Sequence, residues 1–97
     1  MAKYVGLINW TDQGIHRATE SVQRVEQSRA AFESVGVRIE TVVWTQGRYD
    51  IVAIFEAPND EAMAAAMLRL GVAGNVRSET LRAFTAEEMS GIVRQLG

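Results

Sequence analysis

Hydrophobic and polar side chains alternate at the start of the chain with the period of two that is typical of a β-strand. On residues 3–10 one side carries Tyr4, Gly6, Ile8 and Trp10, and the other carries Val5, Leu7 and Asn9. After the turn residues 11–14, positions three or four apart form the inner side of a long helix: Ile15, Ala18, Val22, Val25, Arg29 and Phe32. Its outer side carries Glu20, Arg24, Glu26 and Glu33. Gly36 ends this helix, because glycine is the usual residue just beyond a helix C-terminus.

Two further strands follow as a hairpin. The strand Val37–Trp44 has on one side Val37, Ile39, Thr41 and Val43. The strand Tyr49–Ala57 is apolar on both sides. Residues 45–48 between them form a turn in which Gly47 can take a positive φ. Pro58 ends the third strand, because proline cannot donate to a β-ladder.

The second half of the chain repeats the alternation of helix and strand. Asn59 is the N-cap of a second helix. The apolar stripe of this helix consists of Ala62, Met63, Ala66, Met67 and Leu70. Asn75–Phe84 reads as a fourth strand. Thr85 and Glu88 have the spacing of a capping box, which predicts a short C-terminal helix.

This order of elements predicts a fold class. A βαββαβ unit with one added helix occupies residues 1–97, a length that suits a single domain. Right-handed βαβ crossovers put both long helices on one face of a four-stranded antiparallel sheet. The predicted fold is therefore α+β and ferredoxin-like, with a short C-terminal helix.

The third strand determines what is expected of the face that the long helices leave uncovered. A strand with one face in water alternates apolar and polar residues. Here Ile51, Ala53 and Phe55 on one side are apolar, and so are Val52 and Ile54 on the other. A large exposed apolar patch usually marks an interface. We therefore expect a homo-oligomer in which two sheets pack face to face as a dimeric α/β barrel. The alternative is a monomer whose C-terminal helix covers that face.

Composition narrows the classes of partner. The net charge is −2, and the 10 basic residues form no run, which argues against a nucleic-acid interface and a basic membrane anchor. No cysteine and one histidine are present, so we expect no metal site and no cofactor. No segment approaches the roughly 20 apolar residues of a membrane span, and the N-terminus lacks the features of a signal peptide. We expect a cytoplasmic protein.

Four segments, in order across nearly the whole chain, resemble the GYD domain family, which is named for a glycine–tyrosine–aspartate signature. They are Asn9–Ile15, Gly47–Asp50, Gly74–Arg77 and Leu81–Thr85. In this chain Arg48 stands between the glycine and the tyrosine of the signature. The resemblance implies a dimeric α/β barrel of ferredoxin-like type. It implies no particular reaction, because that architecture includes cofactor-free monooxygenases, small isomerases and effector-binding modules, and a fold does not determine a function.

Aromatic residues gather at one predicted end of the sheet. Trp10 ends strand one, Trp44 ends strand two and Tyr49 begins strand three, so antiparallel pairing brings them close together, beside Asp50. A cleft lined by aromatic and a few polar groups is the usual form of a small-molecule site. The same aromatics would equally serve as core or interface residues. The candidate ligand-binding residues are Asn9, Trp10, Trp44, Tyr49 and Arg77.

His16 and Asp50 are the candidate catalytic residues. An imidazole titrates near neutral pH and suits general acid or base catalysis. The alternative, which we prefer, is that His16 is a solvated residue of the first helical turn. Asp50 could donate a proton, pair with an arginine, or accept backbone N–H groups. Arg77 could bind an anionic ligand or neutralise Glu79 and Glu40 at the surface.

Three functions remain open at this point. The first is a regulatory or small-ligand-binding homo-oligomer. The second is a cofactor-independent enzyme, monooxygenase-like or isomerase-like, that acts on a small organic molecule with His16 or Asp50 as the base. The third is a structural or assembly protein. The chain has no phosphate-binding glycine loop and no Ser–His–Asp order, so we expect its partners to be a second copy of itself and possible small molecules.

Overall fold

A computed structural model describes residues 1–97. Its elements in chain order are β1 (Ala2–Trp10), α1 (Asp12–His16), a 3-10 turn (Ala18–Glu20), α2 (Ser21–Glu33), β2 (Arg38–Trp44), β3 (Ile51–Ala57), α3 (Asp60–Val72), β4 (Val76–Ala83) and α4 (Ala86–Arg94). The strands form one antiparallel sheet in the order β2-β3-β1-β4. The predicted α+β, ferredoxin-like arrangement with an added C-terminal helix is confirmed.

Element ends follow local chemistry as predicted. The Asn59 side chain accepts a hydrogen bond from the Ala62 backbone N–H over 2.8 Å and caps α3. Thr85 and Glu88 form a complete capping box at the start of α4. Gly36, just after α2, has a φ of 82°, a left-handed conformation that glycine takes without a steric penalty.

The hydrophobic core lies between one face of the sheet and the helices α2 and α3. Its sheet residues are Tyr4, Ile8, Val37, Ile39, Ile51, Ala53, Phe55, Ala57 and Val76. Phe32 of α2 packs on Phe55 with 6.1 Å between ring centroids. Met63 and Ala66 of α3 are buried in the same core, so the predicted apolar stripe of the second helix is confirmed.

The first helix differs from the sequence prediction. It breaks at Arg17, whose φ of −117° and ψ of 29° leave the helical region, and α2 restarts at Ser21 with a different phase. Ile15 is 55% exposed and Val22 is 64% exposed, so their predicted inward placement is wrong. Arg24 turns towards the protein and donates a hydrogen bond to the Arg17 carbonyl over 2.9 Å, although we predicted it on the outer side.

A β-bulge changes which side chains of β2 share a face. The register against β3 shifts between Ile39 and Thr41, which leaves Glu40 as an extra residue and reverses the alternation beyond it. Ile39 is buried against the helices, whereas Thr41 and Val43 lie on the other face. The predicted placement of these three residues on one side is therefore wrong. Arg29 Nη1 binds the Ile39 carbonyl beside the bulge over 2.9 Å.

Helix α4 extends away from the rest of the fold, and the whole chain measures 52 × 31 × 17 Å. It makes no extensive contact with any other element, and none of its residues is buried. The exposed apolar side chains of α4 and the residues beyond it are Met89, Ile92, Val93 and Leu96. We call these four residues the α4 stripe. Within one chain, α4 therefore does not cover the sheet. No helix here has the length and apolar character needed to cross a membrane.

Candidate functional site

The sheet face opposite α2 and α3 has an apolar centre. We call this surface the open face. Its central residues are Val5, Leu7, Val43, Val52, Ile54 and Leu81, as the strand register shows. Four of them are half-buried, whereas Val43 is 47% and Leu81 is 43% exposed. Strand β3 is therefore apolar on both sides, as predicted.

One end of the open face carries a cluster of ion pairs. Lys3 Nζ lies 2.7 Å from Glu40 Oε2 and 3.7 Å from Glu56 Oε1, and Arg38 pairs with Glu56 as well. The hydrogen bond from Arg38 lowers the pKa of Glu56, and the hydrogen bond to Glu40 raises the pKa of Lys3. Ion pairs this close to solvent contribute little stability, so their main effect is a polar border to the apolar centre.

Tyr49 lies at the opposite end of the open face. It precedes β3, which begins at Ile51, rather than starting the strand as predicted. Its hydroxyl donates a hydrogen bond to Glu79 Oε1 over 3.1 Å. Because Glu79 pairs in register with Leu7, this contact places the phenol over the open face.

The two tryptophans lie on the helix side of the sheet. Trp44 Nε1 donates to Ser21 Oγ of α2 over 2.9 Å. Trp10 packs against the core beside Ile8, and its indole N–H is buried without an acceptor. The sheet therefore separates both tryptophans from Tyr49. All three mark the same end of the sheet, as predicted, but they do not line one cleft.

Asp50 holds two strands together. Its carboxylate accepts a hydrogen bond from the Trp10 backbone N–H over 2.9 Å, and its own N–H donates to the Ile8 carbonyl over 2.9 Å. These bonds continue the pairing of β1 with β3 beyond Ile51. Asp50 forms no ion pair, so the suggested arginine partner is wrong and the role of backbone acceptor is the one its contacts support.

Two segments that carry the family resemblance meet at Thr11. The Thr11 N–H donates to the Asn75 carbonyl over 3.0 Å, and its hydroxyl donates to the Gly74 carbonyl over 2.6 Å. The same hydroxyl accepts the Gly14 N–H over 3.1 Å. A Cβ on Gly14 would lie 1.9 Å from the Asn75 carbonyl oxygen. Residues 9–15 and 74–77 therefore form a close joint between α1 and the loop before β4.

Of the remaining predicted site residues, His16 and Arg77 are exposed and Asn9 is half-buried. His16, the last residue of α1, has an exposed side chain. Asn9 pairs in register with Arg77, and Arg77 is exposed at the edge strand. The predicted surface pairing of Arg77 with Glu79 and Glu40 is not formed, because Glu40 binds Lys3 and Glu79 accepts the Tyr49 hydroxyl. No group of three His, Cys, Asp or Glu side chains is placed to hold a metal ion.

A cavity that sequence reasoning missed lies between α2, α3 and the helix side of the sheet. Its volume is about 330 Å³, and Trp10 is its single predicted site residue. Its polar lining residues include Arg24, Ser28, Arg69 and Asn75. The one local signal was Arg69, which is adjacent to Leu70 in the apolar stripe of α3. The gap itself depends on how far apart two distant helices settle, which no local pattern encodes.

With this geometry, the chain belongs to the GYD domain family, whose model matches residues 4–93. The resemblance inferred from the four sequence segments is thus confirmed. The chain is also similar to the glutamine synthetase and cystathionine beta-lyase binding protein of Thermus thermophilus. The two are 29% identical over 90 residues, which cover 92% of this chain and 95% of that protein.

Proposed function

We propose that this chain is a non-catalytic binding module that forms a homo-oligomer through its open face and regulates a metabolic enzyme. The observation that carries the proposal is the match to a relative named as a binding protein, which extends over 92% of this chain. That name makes glutamine synthetase the first candidate partner and cystathionine beta-lyase the second.

The surface of the single chain supports self-association. It exposes 6318 Å², against about 5500 Å² for a folded monomer of this mass. The excess of about 800 Å² is of the same order as the area that one partner buries in an interface of standard size. The apolar centre of the open face is the surface that a second sheet would cover.

The α4 stripe is the surface that we assign to the enzyme. An amphipathic helix that projects from its own domain suits a hydrophobic groove on another protein. It also stands apart from the open face, so the module has separate surfaces for its second copy and for an enzyme.

The contacts of the candidate catalytic residues do not favour the enzyme hypothesis. Asp50 is engaged with the Trp10 N–H, and His16 is an exposed residue with no hydrogen-bond partner among the side chains. A structural or assembly role would need the same open face but no enzyme partner, so partner binding distinguishes it from the proposal.

Surface plasmon resonance with the two immobilised enzymes tests this function. We expect saturable binding of the chain to glutamine synthetase or cystathionine beta-lyase, and loss of about tenfold or more in affinity for Ile92→Glu, because a charge at the centre of the stripe must be desolvated on docking. The control Ser90→Glu adds the same charge to α4 outside the stripe and should bind like the unmodified chain.

Three results would count against this arrangement. No binding to either enzyme would remove the proposed partners. Equal binding of Ile92→Glu and Ser90→Glu would remove α4 from the enzyme interface. If Ile92→Glu lost both enzyme binding and self-association, α4 would belong to the contact between copies instead.

A further inference from the structure

The cavity between α2 and α3 has the size of a small-molecule site. The two helices make little contact with each other, and the space between them above the sheet measures about 330 Å³. Ligand sites commonly start at about 300 Å³. The space is partly open to solvent between the helices, so a small molecule could enter it without a rearrangement of the fold.

The cavity is mostly apolar. Its floor is formed by core residues of the sheet, among them Ile8, Ala53 and Phe55, and its walls include Phe32 and Leu70. Thirteen of its 19 lining residues are hydrophobic. The exposed lining residues Gln27 and Arg69 mark its opening to solvent between the helices. The body of a ligand in this space would therefore be apolar.

Two polar groups of the cavity, the Trp10 indole N–H and the Arg69 guanidinium, favour an acceptor with negative charge. The Trp10 indole N–H is buried and has no acceptor in the protein, an arrangement that costs free energy unless a ligand supplies one. Arg69 at the opening forms no ion pair. Arg24 also lines the cavity, but its guanidinium is already bonded to the Arg17 carbonyl and lies 4.0 Å from Glu20 Oε2, so Arg69 is the unpaired cation. No aspartate or glutamate lines the cavity.

We propose that this cavity binds a small carboxylic acid with an apolar aliphatic or aromatic body. The apolar part lies over the sheet between Phe32 and Leu70, and the carboxylate takes the Trp10 N–H and the charge of Arg69. The site lies on the helix side of the sheet, opposite the open face. The proposed site can therefore be tested independently of self-association and of the enzyme partner.

Calorimetric titration with octanoate and with octan-1-ol tests the proposal. Both probes carry the same length of apolar chain, but only octanoate carries a charge. We expect saturable octanoate binding, at least about tenfold tighter than octan-1-ol binding, since hydrogen bonds to charged groups are the stronger ones. Arg69→Gln should remove this preference, and Arg94→Gln, an exposed arginine away from the cavity, should keep it.

A single-tryptophan variant locates the bound probe. In Trp44→Phe the only remaining indole is Trp10, so octanoate in the cavity should shift its fluorescence emission. Ala31→Phe fills the cavity from α2 and should abolish both the heat and the shift. If that variant does not fold, Trp10→Phe, which removes only the N–H donor and part of the ring, should still weaken octanoate binding.

Three results would overturn the proposal. The first is the absence of saturable binding for octanoate. The second is binding of octan-1-ol as tight as that of octanoate, which would leave an apolar void without the assigned anion site. The third is octanoate binding that leaves the Trp10 emission unchanged in Trp44→Phe, which would place the probe elsewhere on the protein.

Discussion

At the level of single residues, the positions that carry the family resemblance hold the backbone together. Thr11 uses its hydroxyl both as donor and as acceptor, towards Gly74 and Gly14. Asp50 replaces a missing ladder partner for the Trp10 N–H. These side chains join segments that lie far apart in sequence. Their chemistry suggested a binding or catalytic site, but their contacts are those of structural residues.

The role of Asp50 predicts a difference between two substitutions. Asp50→Ala leaves the Trp10 N–H without its acceptor, which should lower the free energy of unfolding by about 1–3 kcal/mol. Asp50→Asn keeps an oxygen acceptor at the same position, so its free energy of unfolding should fall clearly less. Urea unfolding followed by circular dichroism measures both. An Asp50→Ala variant as stable as the unmodified chain would contradict the structural role and return Asp50 to the candidate functional residues.

The joint at Gly14 predicts an effect that depends on where a methyl group is added. Gly14→Ala would place Cβ 1.9 Å from the Asn75 carbonyl oxygen, so the backbone must move. The free energy of unfolding should fall by at least about 1–3 kcal/mol. The matched control is Gly71→Ala in α3, where an added Cβ would meet no atom within 4 Å beyond its own helix backbone. That change should stabilise by about 0.5–1 kcal/mol, because alanine is the better helix former. Thermal unfolding of both variants measures whether Gly14→Ala lowers and Gly71→Ala raises the stability.

At the level of elements, α4 depends on its N-terminal cap more than the other helices do, because it makes no extensive contact elsewhere. Glu88 accepts the Thr85 backbone N–H over 2.8 Å, and this hydrogen bond lowers the pKa of Glu88 below its ordinary 4.5. A carboxylate whose pKa is lowered by folding stabilises the folded form above its unfolded pKa, and that contribution disappears as the pH falls through the folded pKa.

We therefore expect α4 to fray as the pH falls below 4.5, the ordinary value for this carboxyl. Amide hydrogen exchange along residues 86–94 measures the fraying, because it reports local opening. Glu88→Gln keeps a cap acceptor without a titrating group and should remove this pH dependence. Glu87→Gln, one residue earlier in the same turn, should leave it in place. Equal fraying in all three proteins would mean that the capping box does not govern α4.

Elements whose ends depend on local chemistry could be predicted from the sequence, and those set by distant contacts could not. Asn59, Thr85 and Gly36 act on neighbouring backbone groups, so their residue types sufficed. The short helix before the break at Arg17 is held at its start by the hydrogen bond of Thr11 to Asn75, a contact between residues far apart in sequence that no window around Arg17 contains.

In the candidate site, too, some features could be predicted from the sequence and others depend on distant contacts. The common end of the sheet for the three aromatics followed from strand order alone. Strand order did not predict the face of the sheet on which each aromatic side chain lies. The bulge at Glu40 decides the side that Trp44 takes, and Tyr49 lies outside β3. Arg69 lines a cavity whose existence depends on the separation of α2 from α3. Side-chain facing and helix spacing are long-range results of packing, and a single sequence carries little direct information about them.

At the level of the whole molecule, the chain is more extended than a compact domain of its length. The Cα radius of gyration is 14.6 Å, against about 12.5 Å for a compact domain of this length. Helix α4 makes no extensive contact with any other element, and the open face of the sheet has an apolar centre. Covering that face with a second sheet would bury Leu7, Val43 and Val52 while the ion pairs of Lys3 stay at the border.

Self-association through the open face predicts the solution mass. Sedimentation equilibrium should give twice the 10.7 kDa of one chain or a larger multiple. Val52→Glu puts a charge at the centre of the face, next to Leu7, and should shift the protein towards the single chain, because an unpaired charge in an apolar interface is costly to desolvate. The control Val22→Glu makes the same change on α2, where the side chain is already 64% exposed, and should leave the mass unchanged.

If Val52→Glu fails to fold, Leu81→Glu on the edge strand β4 tests the same face, because this residue is 43% exposed in the single chain and its replacement leaves the core intact. A chain that sediments singly at high concentration, or a Leu81→Glu variant with the same multiple as the unmodified chain, would mean that water, and not a second sheet, meets the open face.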